Sequence, residues 1–227
     1  MNVITHIVEP ATLLLTWKAM SGGRRKAVAQ LERLNDERVR LTYLFGSTES
    51  ARKIGFLGYP AFPITKKSYE HDVLDILMRR LPPRARADFA DYLAQFRLSS
   101  SVRISDFALL GYSGARLPGD SFEVVHTFDS AKAPFEFVTE VAGTRYASVE
   151  NFDGVVVGST AFLEHEAYNL DDPWAVRVAV NGRKIGYINR YQTQVILRFL
   201  RGNAIRAVVD RMDFGPSPSV SLFIRFY

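Results

Sequence analysis

The chain contains no cysteine. That absence excludes a disulfide scaffold, a thiolate zinc site and a thiol nucleophile together, and it fits a reducing interior. Long apolar runs are missing too. Leu13-Leu14-Leu15 is the nearest approach, and Glu9 and Pro10 interrupt it, so neither a signal peptide nor a membrane span is expected. The expectation is a soluble cytoplasmic protein without membrane partners. Internal repeats and low-complexity tracts are absent. Only four histidines occur, and His6, His71 and His126 are scattered without a partner pattern, so they read as structural.

What is present is a globular composition. The 227 residues are 47% apolar, ample for one large domain or two small ones. The net charge of +5 comes from 29 basic and 24 acidic residues. All of the excess lies before the split at Pro134: 19 basic and 14 acidic residues run through it, and 10 of each follow it. The second half is itself divided. Glu150 to Asp172 carries six acids and no base, while Arg183 to Arg211 carries seven bases, Arg190 among them, against Asp210 alone. The split would set cations beside a DNA backbone and carboxylates beside a metal, or would simply let the charges pair across the surface.

The clearest local signals lie between Glu164 and Leu200. An acidic, turn-rich loop precedes the alternating segment Trp174–Val180. Asn181-Gly182 is a two-residue hairpin signal, because both residues tolerate the positive φ of a type I′ turn. Lys184–Ile188 reads as the return strand. Asn189 suits an N-cap, and Tyr191, Val195, Ile196, Phe199 and Leu200 follow at helical spacing until Gly202. Glu136–Tyr146, Gly154–Leu163, Ala204–Met212 and Ser219–Phe226 complete six strand candidates around one helix, which suggests a small barrel. Ala131–Pro134 is the expected linker, giving domains 1–134 and 135–227.

In the first half, Val3–Trp17 and Leu41–Phe45 read as strands. Val28–Leu41 carries a helical pattern, although Asp36-Glu37 could equally be a hairpin turn. Gly55–Pro63 is a loop. Helices are expected over Tyr69–Arg80, capped by Ser68, and from Pro83 through Phe96. Ser105–Tyr112 is a short apolar segment. The run Arg79, Arg80, Arg84 and Arg86 is either a solvated helix junction or a nucleic-acid or partner patch.

Two family resemblances attach to these residues. Glu166, Asn169, Asp172, Ala175 and Val176, followed by Ile185-Gly186-Tyr187-Ile188, resemble a HIRAN domain, and Ala142–Tyr146 resembles that family's opening strand. The resemblance implies a compact barrel similar to the oligonucleotide-binding fold, of which the best understood examples bind a single-stranded DNA 3′ end. It implies DNA contacts by Arg145 and Tyr146, through guanidinium and stacking, and by Asn169 and Asp172 near the terminal hydroxyl. Ala147 and Asp171 stand where end-binding members carry aromatic rings. Phe62-Pro63, Leu81-Pro82-Pro83-Arg84 and Asp106–Leu110 resemble the N-terminal subdomain of HipA-type toxin kinases, across roughly residues 51–122. Their kinase core is missing, so a kinase is excluded. Asp213-Phe214-Gly215 reads as a turn between strands.

The expected fold is therefore α+β, with a mixed α/β subdomain followed by a small six-stranded barrel. The leading function is DNA binding, joined to metal-dependent cleavage in a toxin held by a helix-turn-helix antitoxin. In that reading Glu166, Asp171 and Asp172 ligate Mg²⁺ or Mn²⁺, and Glu166, Asp172 and His165 carry catalysis. The bland reading of the same carboxylates is a solvated, amide-capping turn. Tyr187 and Trp174 are weighed as core residues before stacking ones. The alternative function is a non-catalytic sensor of single-stranded DNA ends, or a regulatory protein that docks a partner.

Overall fold

The computed structural model describes residues 2–202, 204–213, 215 and 218–227. The chain forms two compact units, one of residues 9–96 and 103–126, the other of residues 1–8, 97–102 and 127–227.

The first unit opens with β1 (Thr12–Trp17), β2 (Lys26–Arg33) and β3 (Val39–Tyr43). Residues 28–41 are thus the hairpin that Asp36-Glu37 allowed and not the helix that their spacing suggested. Asn35 decides it: its side-chain oxygen accepts from Glu37 and Arg38 N–H at 3.0 and 2.8 Å, closing the turn. Then follow α1 (Phe45–Arg52), β4 (Gly58–Tyr59), β5 (Phe62–Pro63), β6 (Ser68–Tyr69), α2 (Val73–Met78), α3 (Phe89–Gln95), α4 (Asp106–Ser113) and β7 (Phe122–Val125). Five strands make one antiparallel sheet in the order β6-β3-β2-β1-β7. The second expected helix starts four residues late because Ser68 and Tyr69 pair with β3 instead of capping. Asp72, at φ 55°, turns the chain into α2. Likewise α3 begins at Phe89 and not at Pro83. Ser105 caps α4 by accepting from Ala108 N–H at 3.0 Å. Three of the four arginines of the run form ion pairs: Arg80, buried, forks onto Asp120, while Arg84 and Arg86 meet Asp106 and Asp88.

The second unit contains β8 (Phe135–Glu140), β9 (Thr160–His165), β10 (Val176–Val180), β11 (Arg183–Tyr187), α5 (Thr193–Leu200), β12 (Ile205–Asp213) and β13 (Ser219–Phe226). All six strands form one antiparallel sheet in the order β11-β10-β9-β12-β13-β8. A closed barrel is not formed. Beyond the ends of the sheet order, Ala142 and Tyr187 exchange two backbone hydrogen bonds, at 2.7 and 2.9 Å, and this single bridge joins the two edges. The expected opening strand stops at Glu140, because Thr144–Tyr146 turns into a 3-10 helix. Phe128, Phe135, Phe137 and Phe226 stack in the core, with Phe135 and Phe226 centroids 4.1 Å apart, and Phe199 meets them edge-on. Phe214 lies outside the described residues, and with it the turn expected at residues 213–215.

Candidate nucleic-acid interface

The loop between β9 and β10 is fixed by one asparagine. The Asn169 side-chain oxygen accepts from Asp171 and Asp172 N–H, each at 3.0 Å. Its amide nitrogen donates to Glu166 Oε2 at 2.6 Å and to Tyr187 Oη at 3.1 Å. Tyr187 in turn donates to Glu166 Oε2 at 2.8 Å, and Lys184 donates to the Tyr187 hydroxyl while lying 3.5 Å from Glu166 Oε1. The Asn169 and Tyr187 hydrogen bonds, with the Lys184 charge, hold the Glu166 carboxyl below the usual carboxylate range. Burial alone would lower the Lys184 pKa, but Tyr187 and Glu166 outweigh it and raise it.

Arg145 and Tyr146 stand beside this network. Gly143 adopts φ 80°, and a Cβ there would lie 3.9 Å from both the Tyr146 and the Tyr187 rings, so the glycine sits where the two rings approach. The Tyr146 ring is 79% exposed. The Arg145 guanidinium lies 4.7 Å from the centroid of that ring and donates to its hydroxyl at 2.6 Å. Among the described residues Arg145 has no carboxylate partner. An uncompensated guanidinium beside an exposed ring is suited to a phosphate and a base together. Arg190 completes the cationic side, 3.4 Å from Asp172 Oδ2.

The acids expected to converge on a metal are placed otherwise. Among the described residues no group of three histidine, aspartate or glutamate side chains is arranged to hold an ion. Glu166 faces Asn169, Tyr187 and Lys184. Asp172 accepts from Trp174 N–H at 3.0 Å and pairs with Arg190, and Glu164 is bound by Arg177. Asp171 gives its own N–H to Asn169. The His165 imidazole contacts the Pro173 carbonyl at 2.8 Å and lies parallel to the Trp174 ring. Cations and N–H or O–H donors thus face the Glu166, Asp172 and Glu164 carboxylates.

Sequence reasoning passed over Lys184. Alternation along β11 would put residues 184 and 187 on opposite faces. A bulge lets Val178 oppose Gly186 and Ala179 oppose Lys184, so an extra residue intervenes and the two side chains meet. Nothing in the sequence marks that bulge except the glycine itself. Tyr187 is only half-buried and Trp174 is 53% exposed, so neither is the core residue that its strand position suggested.

Residues 134–227 match the family model of the HIRAN domain. Similar solved structures include the HIRAN domain of human HLTF, at 23% identity over 40% of this chain and 74% of that one, with a TM-score of 0.33. A protein from Lactobacillus plantarum is 26% identical over 39% of this chain and 91% of that one, with a TM-score of 0.34. No curated protein matches the chain. The family match includes none of residues 51–122, which carry the HipA resemblance. The HIRAN likeness covers residues 134–227, less than half of the chain.

Proposed function

We propose that this domain binds DNA, and single-stranded DNA ends in particular, through Arg145, Tyr146, Asn169, Asp172 and Arg190. The observation that carries the reading is the exposed Tyr146 ring with an unneutralised guanidinium against it. The Glu166–Asn169–Tyr187–Lys184 network supports it by pre-ordering the adjacent loop, so that little conformational entropy is lost on binding. Tyr168, 97% exposed on that loop, supplies an aromatic face near where Asp171 offers none. Binding without hydrolysis is the reading the paired carboxylates favour, since Mg²⁺ would have to displace Lys184 or Arg190. No antitoxin partner is part of the proposal.

The test is fluorescence anisotropy of labelled single strands ending in a 3′ hydroxyl or a 3′ phosphate. The hydroxyl end should bind more tightly, by about tenfold for one lost charge-compatible hydrogen bond and an added repulsion. Equal affinity for both ends and for duplex would remove end recognition. The same preparations, incubated with plasmid or single strand and Mg²⁺ or Mn²⁺, should leave it intact. Cleavage that is abolished by chelator and by Asp172→Asn would instead establish the hydrolytic alternative.

A further inference from the structure

We infer that the cleft between β9 and α5 is a second nucleic-acid subsite, which takes the nucleotides of a single strand that follow those held at Arg145 and Tyr146. The inference rests on the DNA-binding reading above. The cleft has a volume of about 560 Å³ and a floor of Leu163, Leu197 and Leu200. One wall is aromatic: the His165 and Trp174 rings lie within 5° of parallel, centroids 6.4 Å apart. Trp174 exposes about half its surface. Large exposed rings beside an apolar floor fit a nucleobase, whose faces stack and whose edges remain wet.

Charge selects the occupant. Arg198 and Arg201 stand on the rim. Arg198 is bound to the Asp129 and Ala131 carbonyls, at 2.5 and 2.6 Å, and so keeps its full positive charge. Arg201 has no ion pair among the described residues and is exposed. The one rim carboxylate, Glu164, is neutralised by Arg177 at 2.6 Å. A strand carrying one phosphate per base meets both features, whereas an apolar peptide meets only the floor. The cleft also shares a chain segment with the first site. The Trp174 N–H is bound to the Asp172 carboxylate, and two residues of backbone span at most about 7 Å. Adjacent nucleotides of one strand can therefore occupy both.

The experiment compares a thymidine dinucleotide with a hexanucleotide on the full chain. Its two tryptophans make it readable, because Trp17 is buried and Trp174 is not. The hexanucleotide should quench tryptophan emission and bind about tenfold or more tightly than the dinucleotide, the gain of one or more stacked bases. Trp174→Ala should bring that ratio close to one, and Arg201→Glu should reduce it and flatten the salt dependence of the hexanucleotide alone. A wild-type ratio near one, with the dinucleotide still bound, overturns the subsite and spares the first site. The wild-type ratio retained in both variants overturns it equally. If neither oligonucleotide binds the wild type, the DNA-binding reading fails and this one with it. Quenching by an amphipathic peptide and by no oligonucleotide would assign the cleft to a protein.

Discussion

Glu166 accepts from Asn169 and Tyr187 and faces Lys184, so its ionised form is favoured in the folded chain. Its folded pKa is lowered, which fixes the sign of its linkage. The stabilisation is present above the unfolded value of about 4.3 and is lost as pH falls through the folded value. Glu166→Gln should therefore be less stable than wild type at pH 7, and the difference should shrink as pH falls below the unfolded value of about 4.3, as measured by urea unfolding. A constant difference would mean that shape, and not charge, holds the loop. Tyr187→Phe removes a donor to Glu166 and an acceptor for Lys184 and Asn169. It should cost about 1 kcal/mol by the same measurement.

Gly186 governs the edge of the second sheet. At φ +153° it holds a backbone that L side chains rarely adopt, and space requires glycine there as well. A Cβ would fall 2.5 Å from the Ala142 carbonyl oxygen and 2.6 Å from Val141 Cγ1. Gly186→Ala should push β11 away from residue 142 and weaken the Ala142–Tyr187 bridge, destabilising the domain by about 1–3 kcal/mol in urea. A change under about 0.5 kcal/mol would show that the edges meet without it. The element scale also shows what was legible. Asn181 at φ 52° and Gly182 at φ 77° form the turn that their dipeptide announced, and β13 matches its expected bounds, because these features depend on neighbours in sequence. The hairpin at residues 26–43 was obscured because Val28, Leu31 and Leu34 satisfy a helical spacing, while Val28 and Leu31 are both buried on β2. The Glu166–Tyr187 contact spans 21 residues and passes through a bulge, so no local pattern could carry it.

At the scale of the molecule, the second unit recruits two segments from far upstream. Ile4 bridges Leu98, the Thr5 and His6 N–H groups donate to Glu136, and Arg97 binds Asp210 at 2.8 and 3.0 Å. Glu136 and Asp210 side chains are 2% and 1% exposed. Burial raises the Glu136 pKa, but the His6 and Thr5 amides outweigh it and lower it, so their loss would leave a poorly compensated buried charge. Deletion of residues 1–8 should lower the stability of the second unit by about 3 kcal/mol or more, measured by urea unfolding followed at a probe in β12. A truncation at Pro134 loses both segments and should be less stable still. Unchanged stability in the shorter deletion would show that Arg225, 3.2 Å from Glu136, suffices.

The central claim is that Arg145 and Tyr146 hold a single-stranded DNA end, and the affinity of Arg145→Ala for such an end across a salt series tests it most directly. The variant should bind about tenfold more weakly, and its slope of log affinity against log salt should be smaller by about 0.7, the value for one lost contact to a single-strand phosphate. An affinity and slope equal to wild type would place the DNA elsewhere on the protein.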